Sequence, residues 1–209
     1  SIMSENIQLS VLDIQKKYTV DPEETTYGSG KLITWGADNQ LPVLYHNCYN
    51  QSATLKSVID GTVNYILGDD IILGDSAAYW RKEVNRKGMT FRQYVSRVSW
   101  NLLTYGGYAV QVIYNKLGGV VELYPLDFGR CRLNETRDKV YYAKKWTKYQ
   151  TKSEEYDIFN PDHINMDNPT QIFVYTGDLS NSVYPLPPYA GAIYDVLTEV
   201  ECAKYSLNT

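Results

Sequence analysis

Apolar residues along this chain recur at helical spacing in some stretches and alternate in others, and the two periods divide it into elements. From Ser52, the residues Leu55, Val58, Ile59, Thr62, Val63 and Ile66 fall at i, i+3, i+4, i+7, i+8 and i+11, which puts them on one helical face. Gly68 ends that helix, and Ile71 to Leu73 predicts a strand. Just upstream stands Trp35-Gly36-Ala37-Asp38-Asn39-Gln40-Leu41-Pro42. Asp38 and Asn39 have short side chains that accept from free N–H groups at a helix start, and Pro42 fits a first turn that needs no donor. A short helix is expected there.

Further on, Asp75 to Lys87 predicts a helix closed by Gly88, and Thr90 is placed to cap the next. In that helix Phe91, Tyr94, Val95, Val98 and Leu102 share a face, and Gly106-Gly107 stops it. Tyr108 to Tyr114, the turn Lys116-Leu117-Gly118-Gly119 and Val120 to Tyr124 predict an antiparallel hairpin. Gly129 to Leu133, the polar turn Asn134 to Lys139 and Val140 to Trp146 predict a second, with Tyr156 to Phe159 and Ile172 to Tyr175 as later strands. Tyr184-Pro185-Leu186-Pro187-Pro188-Tyr189 is a stiff extended connector, since each proline fixes its own φ and restricts the residue before it. Beyond it Ile193, Val196, Leu197, Val200, Ala203 and Leu207 continue at helical spacing to the end of the chain. The expected fold class is α+β, with N-terminal helices packed on an antiparallel β meander and a C-terminal helix after the proline-rich connector. Residues 1–34, with the polar stretch Asp21-Pro22-Glu23-Glu24-Thr25-Thr26-Tyr27-Gly28-Ser29-Gly30, read as a partly flexible arm that orders against a neighbour. Residues 35–209 read as one domain, cut within its last helix and excised from a longer protein.

Composition narrows the chemistry. The 209 residues carry 24 acidic and 20 basic side chains, a formal charge of −4. That balance argues against an affinity built on many phosphate contacts, each of which needs a cation. The three cysteines, Cys48, Cys131 and Cys202, form no CxxC or other metal-ligand spacing, which suits a reducing compartment. With only His46 and His163 beside them no zinc site is expected, and His46-x-Cys48 reads as a helix-surface pair. There is no apolar run of roughly 18 residues and no signal-peptide pattern at Ser1 to Asp13, so the chain is expected neither to span a membrane nor to be secreted. Twenty tyrosines against four phenylalanines suit half-buried strands and interfaces, where an apolar ring with a polar tip is useful.

Candidate sites are few. Gly28-Ser29-Gly30-Lys31 lacks the first glycine and the Ser/Thr of a phosphate loop. Asp69, Asp70 and Asp75 lack the spacing of a calcium loop and read as solvated turn residues. Asp127, Asp162 and Asp167 form no acid–base constellation. Lys144-Lys145-Trp146-Thr147-Lys148-Tyr149 interleaves cations with aromatics, so Lys144, Lys145 and Lys148 are candidate nucleic-acid contacts; a solvated hairpin edge is the alternative. No catalytic, cofactor-binding or metal-binding residue is expected.

Taken in order, these pieces resemble the portal proteins of tailed bacteriophages and of prophages. The resemblance rests on Trp35-Gly36-x-Asp38-Asn39-x-Leu41-Pro42, Tyr65-Ile66-Leu67-Gly68-Asp69-Asp70-Ile71 and Phe91-x-x-Tyr94 leading to Leu103-Thr104-Tyr105-Gly106-Gly107-Tyr108-Ala109. It continues through Val121-Glu122-Leu123-Tyr124-Pro125-Leu126, Arg132 and Tyr184-Pro185-x-Pro187-Pro188-Tyr189, and covers residues 35 to 207. It implies the N-terminal wing-type region of a ring, commonly a dodecamer, at one capsid vertex. Duplex DNA is packaged and ejected through such a ring, on which the terminase motor, capsid proteins and tail or adaptor proteins dock. The implied location is the virion, and the bacterial host cytoplasm during assembly. Trp35, Asn39, Pro42, Gly68, Tyr105, Gly106, Pro187 and Pro188 are implied to have structural roles. The stem, clip and crown parts have no counterpart in these residues, so no DNA-contacting residue carries over. The intact protein is expected to form closed rings and this fragment to associate weakly. The competing readings are an aromatic-rich interaction or glycan-binding module and a divergent enzyme.

Overall fold

The computed structural model describes residues 26–27, 32–147, 152–177 and 183–207. Its helices are α1 (Leu41–Gln51), α2 (Ala53–Leu67), α3 (Phe91–Tyr105) and α4 (Ile193–Leu207). The strands are β1 (Thr26–Tyr27), β2 (Leu32–Ile33), β3 (Tyr108–Tyr114), β4 (Val120–Leu126), β5 (Cys131–Leu133), β6 (Lys139–Tyr142), β7 (Glu154–Asp157) and β8 (Thr170–Tyr175). The fold is α+β, as the periodicity requires. In place of one meander there are two antiparallel three-stranded sheets, β4-β3-β8 and β5-β6-β7, and the short ribbon β1-β2. A parallel bridge between Ile158 and Ile172 joins the two sheets, and Leu32 bridges Asn134 to tie β2 to the second.

Helix ends follow local chemistry. Pro42 lies in the first turn of α1. Ser52 caps α2 by accepting from Leu55 N–H at 3.0 Å and donates to Glu199 of α4 at 2.8 Å, so one hydroxyl both starts a helix and anchors another. Thr90 and Gln93 form a reciprocal capping box on α3. Gly68 and Gly106 end their helices at φ 52° and 85°, a backbone region that a β-carbon disfavours.

Several expectations are corrected. Asp38 and Asn39 do not cap α1; Gln40 takes the cap position, Asp38 accepts from Gln40 N–H at 3.0 Å, and Asn39 adopts φ 61° with its side chain turned inward. On α2 the buried row is Leu55, Ile59, Val63 and Leu67, while Val58 is 59% exposed and Ile66 is exposed too. Burial follows the i, i+4 row because α1 and α3 pack against that side. On α3 the apolar face is half-buried, and the fully buried positions are Ser99, Asn101, Thr104 and Tyr105. Asn101 tolerates this because it accepts from Phe128 N–H at 2.8 Å and donates to Arg97 C=O at 2.9 Å.

Ile71 to Leu73 form no strand, and Ile72 is 88% exposed: β-propensity has no effect without a partner edge. The helix expected over Asp75 to Lys87 is a 3-10 turn, Asp75–Arg81. The residues after it are drawn instead onto the outer edge of β4, where Val84 C=O accepts from Leu123 N–H at 2.8 Å and Asn85 donates to Leu123 C=O at 2.9 Å. His46 and Cys48 are not a surface pair, since Cys48 is buried in the core and His46 is half-buried. The Gly28 to Lys31 loop lies outside the described residues.

Candidate functional site

Several of the positions that the portal resemblance singled out meet around one buried arginine. Arg132, at the centre of β5, is 1% exposed and makes four hydrogen bonds: Nε to Asn39 Oδ1, Nη2 to Asn39 C=O at 2.9 Å, and Nη1 to Gly129 C=O at 2.8 Å and Cys131 C=O at 2.7 Å. Its guanidinium lies between the indoles of Trp35 and Trp146, 5.6 and 5.1 Å from their centroids. A planar fork is suited to this, because it donates in its own plane while its delocalised charge is stabilised by nearby aromatic rings. Among the described residues no ion pair involves Arg132. Burial lowers its pKa to about 10, so the side chain remains a cation at neutral pH, compensated by carbonyl dipoles.

Each neighbour is fixed by its own segment. Gly36, at φ 82°, turns the chain so tightly that a β-carbon would come within 2.9 Å of Leu41 Cβ. That turn directs Asn39 back to accept from Trp35 N–H at 3.0 Å. Trp35 stacks on Tyr184 at 4.6 Å with 7° between the planes and meets Phe128 edge-on at 5.1 Å. Tyr184 donates to Ile33 C=O and accepts from Leu133 N–H at 2.9 Å, pinning the proline connector across β2 and β5. Gln40 and Trp146 close the other side: Gln40 Nε2 donates to Trp146 C=O at 2.6 Å and Trp146 Nε1 to Arg130 C=O at 2.8 Å.

Trp35, Asn39, Pro42 and Tyr105 therefore belong to one cluster with Arg132 and Tyr184. A β-carbon on Gly129 would press the Tyr105 ring at 2.9 Å and Pro42 Cβ at 3.1 Å. Gly106 and Pro187 belong to it through the connector, because a β-carbon on Gly106 would stand 2.1 Å from Leu186 C=O and 3.0 Å from Pro187 N. Pro187 is buried and accepts a turn bond from Ala190 N–H at 2.9 Å, whereas Pro188 is exposed. Gly68 lies apart at the end of α2, where Arg92 donates to Leu67 C=O at 3.3 Å and Gly68 C=O at 2.9 Å. Lys144 and Lys145 are exposed beside Trp146, and Lys148 lies outside the described residues. Sequence reading quoted Trp146, Tyr184 and Arg132 within longer stretches and gave none of them a site role. A charged residue between Cys131 and Leu133 in a strand with both neighbours apolar was the available signal.

A cleft of about 720 Å³ opens between α1, α2, α3 and the end of β4, with His46, Tyr49, Asp60, Arg97, Trp100 and Asp127 among its lining. Its carboxylates are already engaged. Asp60 accepts from Tyr49 OH at 2.7 Å and pairs with Lys56 at 3.3 Å; Asp127 accepts from Gly129 N–H at 3.1 Å and pairs with Arg130 at 3.4 Å. Asp162 and Asp167 sit in exposed turns with their own N–H groups held by Asn160 and Asn165. Asp69, Asp70 and Asp75 are exposed. Among the described residues no three His, Cys, Asp or Glu side chains are grouped to hold a metal ion, and no helix is long and apolar enough to cross a membrane. Burial raises Cys48 to about 11 and Cys131 to about 12, which removes them as nucleophiles at neutral pH.

No protein-family model matches the chain, and no curated protein matches its sequence. Solved structures do match its fold. A chain in the virion of a native gene transfer agent particle superposes with a TM-score of 0.59 at 13% identity, over 87% of this chain and 47% of that one. A chain in the neck of an empty gene transfer agent particle, computed with sixfold symmetry, gives 0.58 at 12% identity, over 87% and 48%. The chain spans about half the length of the chains it matches. Its fold is shared with chains of gene transfer agent particles.

Proposed function

We propose that this chain is a non-enzymatic structural subunit of a phage-like particle, and more finely the wing-type region of a portal ring through which DNA is packaged and ejected. The observation that carries this reading is the agreement in fold, over 87% of the chain, with a component of a symmetric particle neck. The Arg132 cluster supports it in physical terms. Four segments distant in sequence, the Trp35 turn, the end of α3, β5 and the proline connector, are tied at one point by buried hydrogen bonds and stacked rings. Such a cross-tie holds the four segments in a fixed relation, which a subunit that carries load within a ring needs. The chain spans about half the length of the chains it matches, so no channel-lining or docking residue is assigned to it. The net charge of −4 agrees with a subunit past which DNA slides without being held. In this reading the wing-like unit begins at Leu32 and not at Trp35, because Ile33 and Thr34 are buried in its core and Leu32 bridges Asn134, and the residues before Thr26 form an arm directed to a neighbour.

Electron micrographs of the full-length product, scored for rings with a central hole, test the proposal. A full-length protein that stays monomeric across micromolar concentrations would overturn it. Charge reversal of Lys144, Lys145 and Lys148 together, read as DNA retention, tests whether that hairpin touches the duplex.

A further inference from the structure

A second groove, of about 570 Å³, runs along the outer side of α3, lined by Leu67, Lys87, Met89, Arg92, Ser96 and Arg97 among others. Three cations line it and no Asp or Glu does among the described residues, in a chain whose formal charge is −4. Arg92 is held in place at the carbonyl end of α2, Lys87 lies over the Tyr124 ring at 5.8 Å, and Arg97 is exposed with no side-chain hydrogen bond or ion pair among the described residues. Leu67 and Met89 give the groove an apolar floor. It calls for a short acidic segment carrying an aliphatic residue.

A polynucleotide fits less well. The groove continues through Met89, Ser96 and Arg97 into the larger cleft, where Asp60 and Asp127 stand, and carboxylates in the path repel a row of phosphates. A short peptide meets only the cationic stretch.

The chain itself contains such a segment. Val20-Asp21-Pro22-Glu23-Glu24 presents three carboxylates in four residues next to one aliphatic side chain. Pro22 fixes its own φ and biases Asp21 to extended backbone, which lowers the entropy lost on docking. Asp21 and Glu24, three residues apart at about 3.3 Å each, span about 10 Å, enough to reach between Arg92 and Arg97, which are five residues and so about 7.5 Å apart along α3. We propose that this groove receives the acidic segment 20–24 of a second copy of the chain, as an arm exchanged between neighbours. The proposal deepens the ring reading and rests on it for the presence of that second copy.

Disulfide trapping in the full chain tests it. Cys202 is exposed while Cys48 and Cys131 are buried, so Cys202→Ser removes the accessible thiol. One population then carries Glu23→Cys and another Ser96→Cys. On mixing under mild oxidant, the covalent heterodimer forms several-fold above the yield with Glu135→Cys, an exposed carboxylate elsewhere, replacing Glu23→Cys. The yield falls several-fold in about 1 M salt, where the screening length is about 3 Å, and with Arg97→Glu added. Equal trapping at the control position would overturn the proposal. So would a disulfide that forms only within one molecule when both cysteines are on the same chain, or an Arg97→Glu effect on duplex retention without trapping. Rings in micrographs without trapping end the arm proposal alone; absence of rings ends the ring reading.

Discussion

Removing the buried guanidinium is the most direct challenge to the cross-tie. Arg132→Ala strips donors from three carbonyls, the buried ones of Asn39 and Cys131 and the part-buried one of Gly129, and leaves Asn39 Oδ1 with Trp35 N–H. At the low end for buried acceptors left unpaired, about 1 kcal/mol each, that is about 3 kcal/mol. Losing the packing against two indoles adds about 1 to 2 kcal/mol, while relief from burying a cation offsets part of the loss. The expected net cost is about 4 kcal/mol, a large share of the roughly 5 to 15 kcal/mol that holds a domain folded. Arg132→Met keeps the filler between Trp35 and Trp146 but not the donors, so it should cost about 3 kcal/mol. Urea unfolding followed by circular dichroism measures both, and a domain this size should lose roughly 10 °C in Tm or more for Arg132→Ala. Asn39→Ala supplies the partner for a double-mutant cycle, with coupling of about 1 to 3 kcal/mol expected. A loss below about 1 kcal/mol for Arg132→Ala, or a coupling near zero, would refute the claim that this network ties the segments together.

Three further outcomes follow from the same packing. Gly106→Ala should cost well over about 3 kcal/mol or prevent folding, because its β-carbon meets Leu186 C=O at 2.1 Å. Gly118→Ala, at φ 80° but with no atom nearer than 3.7 Å, should cost only the left-handed penalty of about 1 to 2 kcal/mol, so equal losses in denaturant midpoint would count against the packing argument. An Ellman's reagent titration at pH 8 should find one fast thiol, Cys202, with Cys48 and Cys131 reacting only on unfolding; two or more fast thiols would contradict the burial. Burial raises the phenols of Tyr45, Tyr105 and Tyr189 far above the usual value. Raised folded pKa values mean that their contribution is complete below about pH 10 and is lost as pH climbs toward those values. Absorbance at 295 nm should therefore show these three ionising together with cooperative alkaline unfolding, and smooth titration of every tyrosine near pH 10 would be the contrary result.

The chain's own order of residues determined its local structure: α2 and α3 with their Ser52, Thr90, Gly68 and Gly106 boundaries, both hairpins, and the helix after the prolines. Those features depend on near neighbours, through caps, φ restrictions and side-chain period, and near neighbours are written in the sequence. It also marked Trp35, Asn39, Pro42, Tyr105 and Gly106 without saying that they meet. Tertiary structure decided that they converge on Arg132, since a buried cation among apolar strand residues is stable only where distant carbonyls and indoles arrive to satisfy it. Tertiary structure likewise decided that Ile71 to Leu73 stay unpaired, that residues after Arg81 abandon a helix for the edge of β4, and that the α2 stripe is the Leu55 row and not the Val58 row. In each of these the deciding partner lies far along the chain, and no local pattern carries its position.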